Sequence, residues 1–249
     1  MKALITGAST GIGRDMARVL HKMGTELILV ARNTALLEEL KAELGGNPRI
    51  IAIDLSSPEN CCALFDMTKD EDIDILINNA GFGTYGESST VPLETELNMI
   101  DLNIKAVHIL TKLFLEKFEK RDSGHIMNVA SIAGFLSGPL MSTYYATKGY
   151  VVKFSTALFE ELRRKGSRVH ISVLCPGPVD TEFNNRAGVS FIINGHKSSF
   201  VAEYAIKKMF KNKLIIAPGF FIKLGIVLQR FVPTKLLLKI SYMLQRCKK

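Results

Sequence analysis

The chain has 249 residues, 47% of them apolar and 22% charged. That is enough to bury a sizeable core in one large α/β domain or two small ones, and too apolar for a disordered chain. Its net charge of +8 sits at one end: residues 204–249 hold eleven Lys or Arg and no Asp or Glu, while residues 1–203 hold 21 basic against 24 acidic side chains. Bases gathered in a tail do not suit a nucleic-acid-binding domain, where they should line the recognition surface, so no nucleic-acid partner is expected.

The opening MKALITGAS reads as a strand running into a turn rather than as a secretory signal. From there short apolar runs alternate with amphipathic stretches. Candidate strands fall at residues 3–6, 27–31, 49–53, 75–78, 124–129, 170–174 and 214–217, and candidate helices at 12–23, 34–44, 61–68, 93–120, 143–165 and 201–211. Seven strands joined by helical crossovers predict an α/β fold. The expectation is a single doubly wound Rossmann domain over 1–218, with a seven-stranded, mostly parallel sheet, helices on both faces, and a C-terminal amphipathic helical extension over 219–249.

The first strand empties into Thr6-Gly7-Ala8-Ser9-Thr10-Gly11-Ile12-Gly13 ahead of a helix. Gly7 permits a tight turn, and Gly11 and Gly13 let backbone N–H groups and the helix N-terminus approach a pyrophosphate. Ser9, Thr10 and Ile12 fill the turn and join the cofactor-binding candidates. The gap between Gly7 and Gly11 departs from G-x-G-x-x-G and points to a distinct branch of dinucleotide folds. The second strand ends in Val30-Ala31-Arg32-Asn33, with no carboxylate for a ribose 2′-hydroxyl. Arg32 suits the 2′-phosphate of NADP, with Arg14 placed to assist, so NADP(H) is expected over NAD(H). Asp54, ending the third strand, could accept from an adenine amino group or cap the following helix; Leu55 beside it is a further lining candidate.

Adjacent Cys61 and Cys62 read as helix-packing residues. With Cys175 and Cys247 they show no C-x-x-C spacing and no histidine in ligand register. Neither a metal site nor a disulfide framework is expected, and a reduced, cytoplasmic setting fits. In the long helix over 93–120, Asn103 disfavours its own helix and needs a polar partner. Residues 123–147 form the longest uncharged run, broken by glycines, serines and Pro139, which marks buried strand, loop and helix start rather than a membrane span. Ser131, just past the fifth strand, places a hydroxyl at the carboxyl edge of the sheet, where open α/β folds bind ligands. Tyr144 and Lys148 lie four residues apart on one helix and share a face. A free phenol titrates near ~10, and a neighbouring ammonium lowers that value, making the tyrosine a usable acid and base. Tyr145 is rotated away from that face.

Together, Thr6-Gly7, Gly11-Ile12-Gly13, Asn78-Asn79-Ala80-Gly81, Asn103, Ser131, Tyr144, Lys148 and Pro176-Gly177-Pro178-Val179-Asp180-Thr181 resemble the short-chain dehydrogenase/reductase family in order and spacing, from residue 2 to about 218. The resemblance implies that Tyr144 gives or takes a proton and that Lys148 bonds the nicotinamide ribose while shifting the tyrosine. It implies that Ser131 orients a carbonyl and that Asn103 supports a water-linked proton relay. Asn79, Ala80 and Gly81 would line the adenosine side of the cofactor, and Pro176, Gly177, Val179 and Thr181 the nicotinamide end. A homodimer or homotetramer is the family's usual assembly.

By the same resemblance, residues 182–199 form a substrate lid, where Phe183, Phe191, Ile192 and Ile193 favour a hydrophobic ligand; His196 reads as an exposed loop residue. Beyond it, residues 220–231 and 234–245 form two amphipathic helices separated by Pro233. An apolar face edged by bases suits an interfacial helix on anionic lipid, giving peripheral membrane contact, or packing against the domain or a dimer partner. Similar tails occur in the family's hydroxysteroid-dehydrogenase-like and long-chain ketoacyl-reductase-like members. The expected function is NADPH-dependent interconversion of a carbonyl and a secondary alcohol on a lipophilic ketone or 3-oxoacyl substrate. The alternatives are an NAD-linked alcohol dehydrogenase and a non-catalytic nucleotide sensor or scaffold at a membrane surface.

Overall fold

The structure, a computed structural model, describes residues 1–188 and 195–246. The candidate lid residues Phe191, Ile192 and Ile193, and Cys247 in the tail, lie outside the described residues.

The apolar runs become β1 (Lys2–Thr6), β2 (Glu26–Ala31), β3 (Arg49–Ala52), β4 (Ile75–Asn78), β5 (Gly124–Val129) and β6 (Val169–Leu174). Between them lie α1 (Gly11–Lys22), α2 (Thr34–Leu44), α3 (Pro58–Asp66), α4 (Leu93–Ile100), α5 (Val107–Arg121) and α6 (Ser142–Lys165). After β6 come β7 (Val179–Asp180), α7 (Glu182–Ala187), β8 (His196–Lys197), α8 (Ser198–Met209), β9 (Ile215–Ile216), α9 (Phe220–Leu228) and α10 (Thr234–Arg246). Seven strands form one sheet in the order β3-β2-β1-β4-β5-β6-β9. All six pairings are parallel, so the mostly parallel sheet of the sequence is parallel throughout.

Strand runs are largely apolar because both faces of the sheet are covered. Successive β1 residues supply opposite cores. Ala3 and Ile5 meet Met16 and Leu20 of α1 and Ile206 and Met209 of α8. Leu4 faces the other way, into a core with Leu64 of α3 and Phe114 and Phe118 of α5.

Three departures from the expected elements have local causes. Helix α3 starts at Pro58 rather than 61, because Ser57 accepts from the Asn60 N–H and Pro58 sits at the first turn. Asp54 is therefore not its cap. The helix expected over 93–120 is split by a π-helical stretch, Asp101–Ala106, which carries Asn103. The short strands β7 and β8, which the sequence did not signal, pair in parallel and bring the two ends of the lid together. Among the described residues no helix is long and apolar enough to cross a membrane.

Candidate active site

The sheet order reverses between β1 and β4, and a cavity of about 1450 Å³ opens at the carboxyl ends of the strands there. This switch point is where open α/β folds hold their ligands. On one side of it the β1–α1 turn is pulled against the end of β4. The Thr6 hydroxyl accepts from the backbone N–H groups of Asn79 (2.9 Å) and Ala80 (3.1 Å), and the Asn79 amide donates back to the carbonyls of Thr6 and Gly7, both at 3.0 Å. The approach is close enough that side chains are excluded. A Cβ on Gly13 would stand 2.4 Å from the Gly7 carbonyl oxygen, and Gly7 itself has φ +64°. The glycines thus leave bare backbone facing the cavity beside the start of α1, and that cradle fits the diphosphate of a dinucleotide.

Arg32 lines the cavity near this turn, 59% exposed, with its Nη1 3.6 Å from Asp54 Oδ2. The other Asp54 oxygen accepts from the Ser56 N–H and hydroxyl. The Asp54 carboxyl, though raised by burial, is held below its ordinary range on balance by those bonds and by Arg32. Arg14, expected to assist Arg32, is instead engaged by Glu39 (2.7 Å) and Glu43 (2.9 Å) of α2 and does not line the cavity. It ties α1 to α2.

Across the cavity, α6 carries Tyr144 and Lys148, both buried, and Ser131 follows β5. Burial pushes the Tyr144 phenol up, the Ser131 hydroxyl pulls it back, and Tyr145 adds an upward push. Lys148 Nζ lies 5.9 Å from the centre of the Tyr144 ring and donates to the Val129 carbonyl at 3.0 Å. Burial pushes the lysine down to about 8, opposed slightly by Cys175. The phenol's shift thus comes from burial, Ser131 and Tyr145. Asn103 stands behind the wall. Its amide donates to the Phe82 carbonyl (2.8 Å) and the Thr147 hydroxyl (3.1 Å), and its oxygen accepts from the Phe82 N–H (3.1 Å). A Cβ on Gly81 would come within 2.8 Å of that oxygen. Except for Gly13, Arg14 and Asn103, every candidate catalytic and cofactor-binding residue of the sequence lines this one cavity.

The family model for short chain dehydrogenases matches residues 1–189. The chain belongs to this family. This short-chain dehydrogenase is thus an oxidoreductase of the NAD(P)-dependent class acting on CH–OH groups. The dehydrogenase/reductase SDR family member 7B of Mus musculus is 32% identical over 193 residues, which cover 74% of this chain and 59% of that protein's length. The 3-oxoacyl-(acyl-carrier-protein) reductase FabG of Rickettsia prowazekii is 30% identical over 184 residues, covering 74% of this chain and 75% of the relative. Among solved structures, a short-chain dehydrogenase from Sphingobium yanoikuyae in complex with NADPH is 29% identical, with a TM-score of 0.83 over 92% of this chain and 94% of that one.

The short-chain dehydrogenase has a second cavity wall that the sequence did not reveal. Residues of α9 and α10, among them Ile222, Ile226, Leu237 and Ile240, line the same space as Tyr144. Tyr145 also lines it, and its hydroxyl accepts from Gln245 of α10. His196, read as an exposed loop residue, is half-buried in β8 and faces the cavity as well. Phe183 lies against Tyr144, ring centres 5.4 Å apart, which gives the apolar lid residue a partner. The signal for the tail's placement was weak in the sequence because a hydrophobic stripe does not name the surface it covers. Among the described residues no group of three or more His, Cys, Asp or Glu converges as a metal site would need.

Proposed function

We propose that this short-chain dehydrogenase uses NADPH to reduce the carbonyl of a lipophilic ketone or 3-oxoacyl compound, the reverse running with NADP⁺. The observation that carries the proposal is the buried hydroxyl pair of Ser131 and Tyr144, set between the bare-backbone cradle and an apolar wall in a single cavity. When bound, the reduced nicotinamide supplies the hydride that the carbonyl carbon accepts. Ser131 and Tyr144 hydrogen-bond the carbonyl oxygen, and the Tyr144 phenol gives it a proton as negative charge develops there. Burial favours that role, because a phenol pushed up stays protonated until the oxygen demands its proton. Protonated Lys148, close to the ring, then favours the phenolate left behind. Asn103 fixes the Gly81–Phe82 backbone beside Lys148 and Tyr144, which positions that wall of the site.

Arg32 supports NADP over NAD, since it lines the cavity at the end of β2 where a carboxylate would favour the ribose hydroxyl. The NADPH complex of the Sphingobium relative is in keeping with this, and the 3-oxoacyl reductase among the relatives is in keeping with a 3-oxoacyl substrate. Lipophilic ketones and 3-oxoacyl thioesters, followed by loss of NADPH absorbance, should reveal turnover. Tyr144→Phe should lower it by about 10²–10⁴-fold with NADPH binding retained. Undiminished turnover in that variant would sink the assignment.

A peripheral contact of the tail with anionic lipid is also part of the proposal. Phe231 (80% exposed), Met243 and Leu236 are exposed and do not line the cavity, and Lys223, Arg230, Lys235 and Lys239 accompany them along the tail with no acidic residue. Exposed apolar groups edged by bases are the chemistry of an interfacial helix.

A further inference from the structure

The exposed residues among those lining the cavity fall into two groups of opposite chemistry. Arg32 and Asn33 are polar and stand at the end of β2. Gly225, Leu228, Ile240 and Leu244 carry no polar side chain and stand on α9 and α10. Leu228 is 51% and Leu244 63% exposed, so each has one part in the cavity and another outside the molecule. That is the position of a rim, and the cavity has an apolar mouth besides its polar one. The apolar mouth lies on the catalytic side. Gln245 donates to the hydroxyl of Tyr145, next to Tyr144, and Ser241 donates at 3.0 Å to the carbonyl of Ser137, in the segment after Ser131.

The rim continues onto the outer face of the tail. Residues four apart on a helix are neighbours on its surface. Leu224 stands one such step before Leu228 on α9, and Leu236, Ile240 and Leu244 are successive steps on α10. Leu224 and Leu236 are exposed and do not line the cavity, so each row runs from the outer surface to the rim. Lys223, Arg230, Lys235 and Lys239 belong to the same stretch without lining the cavity, and residues 204–249 hold no Asp or Glu. An apolar mouth on a basic, acid-free segment complements an anionic lipid surface. We infer that this mouth opens onto an anionic bilayer and that the substrate passes through it from lipid towards Tyr144 without crossing water. This rests on reading the cavity as the substrate site and the tail as a lipid contact. It narrows the substrate to a carbonyl compound that resides in the bilayer. For such a compound the route through water is slow, because each added methylene lowers its escape from lipid about fourfold. A direct route has no such step.

The test follows uptake rather than chemistry. Diazirine-bearing methyl ketones of increasing chain length are dissolved in phosphatidylcholine vesicles containing phosphatidylserine and mixed with full-length protein saturated with NADP⁺. Light flashes after set delays fix the ketone, and mass spectrometry reads the labelled cavity peptides. Uptake should change little along the series, whereas a route through water slows it about fourfold per methylene. Phosphatidylcholine alone should bring that dependence back. So should Leu224→Glu with Leu236→Glu, while a short ketone supplied in buffer still labels that variant's cavity. Gly225→Trp, at a position where a Cβ meets nothing within 4 Å, should slow uptake from vesicles several-fold with co-sedimentation unchanged. If it does not fold, Leu228→Trp is read in its place. A fourfold fall per methylene for the unmodified protein on anionic vesicles would overturn the inference, as would undiminished uptake with the mouth narrowed. A second copy seated on this face would show as a dimer that the double variant dissociates, with uptake indifferent to phosphatidylserine, and would overturn it too. No cavity label from vesicles or buffer would remove the substrate site and the mouth together. NADPH consumption is scored separately. Chain-length-independent uptake without consumption keeps the mouth and removes the reductase function, and consumption with the steep dependence does the reverse.

Discussion

The two sides of the cavity are built by different means. On the cofactor side, a missing Cβ is the decisive feature: Gly7 meets Ala80 and Gly13 meets Gly7 backbone to backbone, and Gly81 meets the Asn103 side chain. On the tail side, two helices lie over the opening with much of their apolar surface exposed and only Ser241 and Gln245 buried on α10. A site that must fit a fixed chemical group is made of unyielding backbone. A wall that shapes a substrate space is made of side chains.

Glycines should expose this contrast most strongly. Gly13→Ala should destabilise the protein by about 3 kcal/mol, the scale of an overpacked core, and abolish NADPH binding. Gly225→Ala in α9, where a Cβ meets nothing within 4 Å, should stabilise by about 0.5–1 kcal/mol. Equal effects in urea unfolding would erase the distinction.

Next in size is the cofactor side's charge. Arg32→Asp should weaken NADPH by about 10–100-fold and strengthen NADH, the scale of hydrogen bonds to a charged group. Fluorescence titration with both cofactors reads this, and an unchanged ratio would mean that Arg32 serves only Asp54.

Lys148 gives a smaller effect with a definite pH signature. Its folded value of about 8 lies below the 10.5 of the free amine, so burial penalises the charged form. That penalty is full below pH 8 and fades as pH rises from 8 to 10.5, where the unfolded chain also loses its proton. Lys148→Met should therefore stabilise the cofactor-free protein by about 2 kcal/mol at pH 7, with a gain that shrinks over that window. A gain independent of pH would show that the ammonium is not strained.

The smallest effect concerns the tail's outer face. Co-sedimentation with phosphatidylcholine vesicles containing phosphatidylserine should be salt-sensitive. Phe231→Glu with Leu236→Glu should weaken it about tenfold, the worth of one or two buried apolar side chains. Equal sedimentation of the two proteins would remove the lipid contact.

The legibility of the sequence follows the same division. β1 through β6, the turn at Gly7–Gly13, and Ser131, Tyr144 and Lys148 were readable because short apolar runs and local spacing determine them. Arg14 was misassigned because nothing local announces that Glu39 and Glu43, a helix away, take its guanidinium. Tyr145 was set aside on helical geometry alone, and its partner Gln245 is a hundred residues distant. The part His196 plays in the cavity depends on a two-residue ladder with Val179–Asp180, too short for any periodicity to signal.

The π-helical stretch at Asp101–Ala106 acts as a rotational offset between two jobs done by one continuous rod. Within it sits Asn103, aimed at Phe82 and Thr147; after it, Phe114 and Phe118 aim beneath the sheet. A regular α-helix advances by roughly 100° per residue, so deleting exposed Lys105 to restore ordinary winding would swing one of these two faces out of alignment. The widened turn is what lets a single helical segment serve both the reaction site and the floor of the domain.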